Sequence, residues 1–277
     1  MAISLATKFL PYVDEKFKVE SKASLVTNND FDWTGAKTIK VYKVTTVGMN
    51  DYDRAGTGVN NSRYGDVKGL DATTEEFALA KDRSFTFAID KLDTDESVRN
   101  VQAASALERQ LREVVIPEVD SHVYSKMCTG AGTKPTAKAL DATNIYTEIL
   151  NASTVLDDAE VPETGRFILV TPTTYQMLKQ SDSITSNTDI GAGMKIRGVV
   201  GEIDGMYVIK VPANRLPAKF GFLVGHPSAT VAPTKLADYK IHQDPPGISG
   251  DLVEGRINYD AFVLDNKAKA LYYQAIE

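Results

Sequence analysis

Between two segments that alternate like β-strands lies Met49–Leu79, "MNDYDRAGTGVNNSRYGDVKGLDATTEEFAL", a stretch with no helical or strand period. Its apolar residues (Tyr52, Val59, Tyr64, Val67, Leu70, Phe77) are scattered, and glycines at 56, 58, 65 and 69 interrupt what regularity remains. Connections of this length without structure of their own are uncommon inside compact domains. The flanks, "TIKVYKVTTV" (Thr38 to Val47) and "RSFTFAID" (Arg83 to Asp90), are β-branched or cleanly alternating and read as strands. The expectation is one long hairpin with these two strands as antiparallel legs and Met49–Leu79 as its tip. An isolated two-stranded ribbon is marginal in water, so such a hairpin has to lie on another surface.

The first thirty-seven residues offer no better core. Short apolar pieces (Phe9 to Val13, Leu25, Val26) are set among Lys, Glu, Asn and Asp, and "TNNDFDWTGAKT" carries the only tryptophan, Trp33. This composition predicts an extended arm whose aromatic anchors lean on something else, because it buries too little to fold alone.

The confident element follows: "TDESVRNVQAASALERQLREVVIPEVDSHVYSKM". Asp93 or Thr94 can cap a helix here, and Asp95 and Glu96 suit the positive end of its dipole. Val98, Val101, Ala104, Leu107, Leu111, Val114 and Val115 define one apolar face. Glu108 with Arg112 and Arg109 with Glu113 are i,i+4 pairs on the wet side. Pro117 is expected to kink or end the helix.

Beyond it, "CTGAGTKPTAKALDAT" reads as a loop, and Asn144 to Asp158 as an amphipathic helix burying Ile145, Ile149, Ala152 and Leu156. "RFILV" is a short buried strand, Thr171 caps a helix opened by Pro172, and "DSITSNTDIGAGMKIRG" is a polar loop. "VVGEIDGMYVIKV" is a hairpin turning at Asp204-Gly205, "FGFLVG" another strand, and "DLVEGRINYDAFVLDNKAKALYYQAI" two more strands around Asn266. The pattern is α+β, with few helices, antiparallel strands and no βαβ series.

Composition narrows the function classes. A net charge of −6 argues against tight, salt-dependent nucleic-acid binding, which needs clustered Lys and Arg. Cys128 is the only cysteine, which excludes an intramolecular disulfide, and a small buried hydrophobe is the expected role. The start "MAISLATKFLPYVDEKF" lacks the basic and long apolar parts of a signal peptide, and the run from Phe167, "FILVTPTTYQML", is too short and polar to cross a bilayer. A soluble protein made in the cytoplasm is expected.

Catalytic chemistry finds no footing. "GAGTKP" (Gly130 to Pro135) and "GAGMK" (Gly191 to Lys195) lack the spacing and the strand-to-helix setting of a phosphate loop. His122, His226 and His242 are far apart, with no metal-ligand spacing. Asp90, Asp93, Asp95 and Glu96 resemble a carboxylate site, yet a helix N-terminus collects acids for dipole reasons. No nucleophile elbow, paired-carboxylate or zinc-helix motif appears. The expectation is no catalytic, cofactor-binding or metal residue, no cofactor and no enzyme activity.

The order of elements, together with "SVRNVQAASALERQLREVVIPEVDSHVY", "GEIDGMYVIKVP", "FGFLVGHPSATVAP" and "GRINYDAFVLDNKAKALYY", resembles the major capsid proteins of tailed bacteriophages with the HK97-type fold. The resemblance spans essentially the whole chain. It implies an N-terminal arm (1–37), an extended loop (38–90, tip 49–79), a peripheral domain with a spine helix (91–129), an axial domain (130–235) and return strands of the peripheral domain (236–277). It implies hexamers and pentamers closing an icosahedral head around double-stranded DNA, each hairpin lying across the next subunit. Expected partners are other copies of the chain, a portal protein and weak non-specific contact with packaged DNA, with no membrane. The expected location is the virion, after assembly in the host bacterial cytoplasm.

No long charged helical segment precedes the arm, so a separate scaffolding protein is expected. Some members cross-link a loop lysine to an asparagine; Lys68 with Asn258 or Asn266 is a poor positional match, and solvated charge is the expected role. Two other readings stay open: an encapsulin-like nanocompartment shell, which would hold protein cargo, and an α+β enzyme in which residues 49–79 fold as a lid.

Overall fold

The computed structural model describes residues 20–28, 38–57, 62–66, 68–92, 102–181 and 199–277. The chain divides into two compact units, Trp33–Leu79 and the remainder, Met1–Asp32 with Ala80–Glu277. Trp33, the helix-cap candidates Asp93 and Thr94, the acids Asp95 and Glu96, Val98, Val101 and the "GAGMK" loop lie outside the described residues.

In the smaller unit β1 (Thr38–Val44) pairs antiparallel with β2 (Ala72–Ala78), in register from Thr38↔Ala78 to Val44↔Ala72. The ladder runs one step further through Thr45, whose N–H and hydroxyl both donate to the Asp71 carbonyl at 3.0 Å. This corrects the expected pairing, because the return leg is β2 and not the segment from Arg83. β2 lies inside the stretch that lacks a period. Its residues, "ATTEEFA", are exposed or half-buried on both faces, so no hydrophobic alternation marks it. Cross-strand pairs carry it instead: Ile39 opposite Phe77, Lys43 with Glu75 at 3.2 Å and Lys40 with Glu76 at 3.6 Å.

The expected second leg, β3 (Lys81–Asp90), has an apolar face that needs a cover and finds it in the larger unit. It flanks β10 (Gly250–Tyr259), whose other neighbour is β9 (Thr234–Gln243), giving the sheet β3-β10-β9. Ile89 and Val253 are buried with Ala103, and Phe85, Phe87, Ala106 and Leu107 pack around them. At Gly255 a Cβ would run into the Phe85 ring, so β10 needs glycine there.

The expected long helix, α1, is continuous over three segments, Ala103–Gln110, Leu111–Val115 and Ile116–Gly130. Pro117 does not end it. Leu111–Val115, ending one residue short of it, form a π-helical turn, in which the Ile116 N–H donates to the Leu111 carbonyl. That wider turn absorbs the distortion a proline imposes on an α-helix. It also rotates the buried face: Ala103 and Val115 are inside, while Ala104 and Val114, placed inside by a constant helical period, are exposed.

The main core surrounds a five-stranded sheet ordered β12-β7-β4-β6-β5, with β4 Phe167–Val170, β5 Val199–Ile203, β6 Met206–Lys210, β7 Phe220–Gly225 and β12 Leu271–Ala275. All residues of β4 and β7 are buried. The helices α2 (Ile145–Asp158) and α3 (Pro172–Gln180) and the second half of α1 supply side chains to the same core. The expected face of α2 is observed, with Ile145, Ile149, Ala152 and Leu156 fully buried. Thr171 caps α3 by accepting from the Thr174 N–H. The turn between β5 and β6 has Asp204 and Gly205 both at positive φ, 51° and 70°, the conformation a two-residue hairpin demands. One pairing departs from the all-antiparallel expectation: β4 and β6 are parallel, with α3 in the connection between them. A two-residue ladder, β8 (Thr230–Val231) with β11 (Phe262–Val263), completes the fold.

Candidate assembly surface

No described residue of the smaller unit is buried. Among the described residues, seven of the ten large apolar side chains most exposed belong to it: Tyr42, Val44, Val47, Met49, Tyr52, Tyr64 and Leu70. Tyr42 is 72% exposed and Tyr64 79%. Single exposed apolar residues are ordinary, whereas a concentration of them on a unit without a core marks an interaction surface.

Local polar contacts set the backbone of the loop beyond β1. Asp53 accepts from the Ala55 N–H (2.8 Å), the Thr57 N–H (2.6 Å) and the Thr57 hydroxyl (2.7 Å). The Thr57 hydroxyl and these backbone donors hold the Asp53 carboxyl below its usual value. The Asp53 N–H reaches the Arg63 carbonyl at 2.9 Å, Asn50 donates to the Tyr64 carbonyl at 3.2 Å, and Tyr52 meets Tyr64 edge-on at 5.1 Å. Shape here is fixed by hydrogen bonds that leave the apolar side chains outward, an arrangement suited to a protein partner and lacking an acid, base or nucleophile set in a pocket.

Two buried carboxylates organise the larger unit near α1. Asp120 pairs with Arg215 at 2.6 Å, both side chains being almost inaccessible. Asp120 also takes the Ser21 hydroxyl at 2.6 Å, tying down residues 20–28, of which Val26 is fully buried. Burial pushes the Asp120 carboxyl up from its usual value, against the pull of Ser21 and Arg215. Asp260, its side chain 1% exposed, meets His122 Nε2 at 2.7 Å and accepts from the Ala80 N–H (2.9 Å) and the Ala261 N–H (2.8 Å), with Lys126 at 3.9 Å. Burial alone would raise its pKa, but His122, the two amides and Lys126 together hold it below the ordinary value. Sequence reading passed over Asp120, Arg215 and Asp260. The available signal was an acid inside an apolar run, "NYDAFV", because a buried charge requires partners.

The sequence candidates separate into structural roles. The glycines of "GAGTKP" serve close packing: a Cβ on Gly130 would lie 2.6 Å from Val263, and one on Gly132 would lie 2.7 Å from the backbone of Ala268. Lys134 donates to the Thr129 carbonyl at 2.5 Å. His122 is the Asp260 partner, His226 contacts Ser228 (2.7 Å) and the Thr164 carbonyl (3.1 Å), and His242 faces Glu254 at 3.2 Å. Asp90 accepts from the Leu92 N–H at 2.8 Å. Lys68 is exposed in the smaller unit, while Asn258 lies in β10 and Asn266 in the 3-10 turn Asp265–Ala270 of the larger. Cys128 is buried, and burial pushes its thiol up to about 12. Among the described residues no group of His, Cys, Asp and Glu could hold a metal ion, and no helix is long and apolar enough to cross a membrane.

A family model described as phage capsid protein matches residues 72–273. No curated protein sequence matches the chain. Solved structures similar over nearly the whole chain include one from Mycobacterium phage Che8, at 17% identity and a TM-score of 0.70, covering 98% of this chain and 96% of that one. The capsid structure of cyanophage P-SCSP1u has 17% identity and a TM-score of 0.75, covering 98% and 93%. The capsid of Myoviridae phage XM1 has 11% identity and a TM-score of 0.66, covering 100% and 99%. The fold is therefore the HK97-like α+β fold that the order of elements implied.

Proposed function

The chain belongs to the phage capsid protein family, and from that premise we propose that it is the repeating subunit of an icosahedral head, joined in hexamers and pentamers around double-stranded DNA. The observation that carries the assembly reading is the smaller unit, Trp33–Leu79, with no buried residue among those described and with most of the large exposed apolar side chains. Its missing core is supplied by a neighbouring copy. Each interface can be modest, because closed symmetry repeats it and one subunit makes several at once.

In this reading residues 1–37 are the arm, 38–90 the extended loop, 91–129 and 236–277 the peripheral domain, and 130–235 the axial domain. The chain is structural, with no enzymatic step. A separate scaffolding protein directs assembly in the host cytoplasm, and a portal protein occupies one vertex. The acidic balance, −6, suits a wall that encloses DNA without gripping it.

Sedimentation velocity on the purified protein, followed by imaging of the fast fraction, tests this. Closed shells or rings of five and six are expected, alone or with the scaffolding partner. A monomer under both conditions would overturn the proposal. Particles from infected cells that hold protein cargo in place of DNA would redirect it to a nanocompartment. Tight binding of duplex DNA by the isolated subunit at physiological salt would overturn the account of the inner wall.

A further inference from the structure

We propose that Asp260 is a latch fixing the point where the chain leaves the smaller unit, and that one stripe of α1 holds the latch closed. The smaller unit ends at Leu79, so Ala80 is the first residue of the larger unit beyond it. The β3–β10 ladder begins at Lys81↔Tyr259. The Ala80 amide therefore lies one residue outside the ladder, and a side chain takes it: Asp260 Oδ2, at 2.9 Å. Ala80 itself is exposed, so this side-chain contact and no burial of its own ties its amide to the end of β10.

The carboxylate is itself held from several directions. Asp260 Oδ1 receives the Ala261 N–H and meets His122 Nε2, and the Asp260 N–H donates to the Pro233 carbonyl at 3.2 Å. It cannot swing away without abandoning donors on two elements. The ring of His122 stands edge-on to Tyr259 at 5.6 Å, and the Tyr259 hydroxyl donates to Glu118 Oε1 at 3.3 Å. The same Glu118 oxygen receives Arg83 Nε of β3 at 2.7 Å. Glu118, His122 and Lys126 are spaced by four, hence aligned on one face of α1. Through them a single helical stripe grips the start of β3, the end of β10 and the latch. A turn of α1 about its axis would carry all three side chains together and free Ala80. The titratable and charged groups facing Asp260 are His122 and Lys126 from α1, with Arg83 and Glu118 beyond Tyr259.

The test is residue-resolved amide hydrogen exchange on the full chain at neutral pH, comparing Ala80 with Leu169 and Val224 in the five-stranded sheet. Asp260→Asn keeps the side-chain volume and removes the charge. His122→Phe keeps a ring against Tyr259 and removes the nitrogen. Asp82→Asn, which alters an exposed pair with Arg256, serves as control. Ala80 exchange is expected to rise at least tenfold in Asp260→Asn, less in His122→Phe and not in Asp82→Asn, with Leu169 and Val224 unchanged. Unchanged exchange at Ala80 would overturn the latch. So would a rise shared equally by Leu169 and Val224, which would make Asp260 a general stabiliser. Should Asp260→Asn fail to fold, His122→Phe is read against the same outcomes.

Discussion

The five-stranded sheet and the β1–β2 ribbon use the same kind of hydrogen-bond ladder and stand at opposite ends of burial. Every residue of β4 and β7 is inside, and no described residue around β1 and β2 is. The first ladder is stabilised by apolar area removed from water, the second by cross-strand pairs and turn hydrogen bonds worth little each. On the proposed reading, a region of the second kind is completed by a neighbouring copy, so that stability and assembly are carried by different residues and can be changed separately.

The larger unit should break first where a buried charge loses its partner. Asp120→Ala takes from buried Arg215 its carboxylate partner at 2.6 Å, and a loss of about 3–5 kcal/mol in denaturant unfolding is expected. Leu169→Ala, which empties part of β4, should cost about 2–5 kcal/mol. A drop below 1 kcal/mol in both would mean that the core is not what holds the unit.

Acid should act through Asp260. Its carboxyl titrates below the ordinary value of 3.8, so the charged form is bound more tightly in the folded state. That contribution is complete above 3.8 and is lost as pH falls through the lower folded value. Unfolding curves of Asp260→Asn should therefore lack an acid-dependent component that the parent chain shows as pH falls below 3.8 toward the lower folded value. Identical pH dependence of the two would remove Asp260 from the account.

The contrast is sharpest for Tyr42→Ser. Subunit stability should move by no more than about 0.5 kcal/mol, since the side chain is exposed, while shell yield by sedimentation falls severalfold. The reverse result would contradict the division of labour. Smallest of all, Asp53→Ala should raise amide exchange at Thr57 and leave the melting temperature in place.

How far the sequence could be read follows the same division. "RFILV", "FGFLVG", the α2 stripe and the Asp204-Gly205 turn announced themselves because burial and turn geometry restrict residue choice. β2 did not, because a strand exposed on both faces has no pattern to impose on Thr73, Thr74, Glu75 and Glu76. The π turn before Pro117 was illegible for another reason: a fixed helical period cannot represent an inserted residue, so Val114 was assigned inward. The alliances of Asp120 with Arg215 and of Asp260 with Ala80 join positions far apart in the chain, which spacing alone does not connect. The assembly surface was legible only as a lack, a long stretch with nothing to bury.

The sheet order β12-β7-β4-β6-β5 also sets a timetable for synthesis. β12, residues 271–275, lies beside β7 at one edge, and β10, residues 250–259, is the middle strand that β3 requires. Neither sheet can close until the ribosome has added nearly all of residues 80–277. At ~5–20 residues per second that interval is on the order of 10–40 s. Throughout it β1 and β2, made first, hang from an unfinished chain with Tyr42 and Met49 in water, within reach of other nascent copies on the same message. Folding late and associating early are in competition during those seconds, and what the cell offers the emerging ribbon then bears on how many subunits reach a shell.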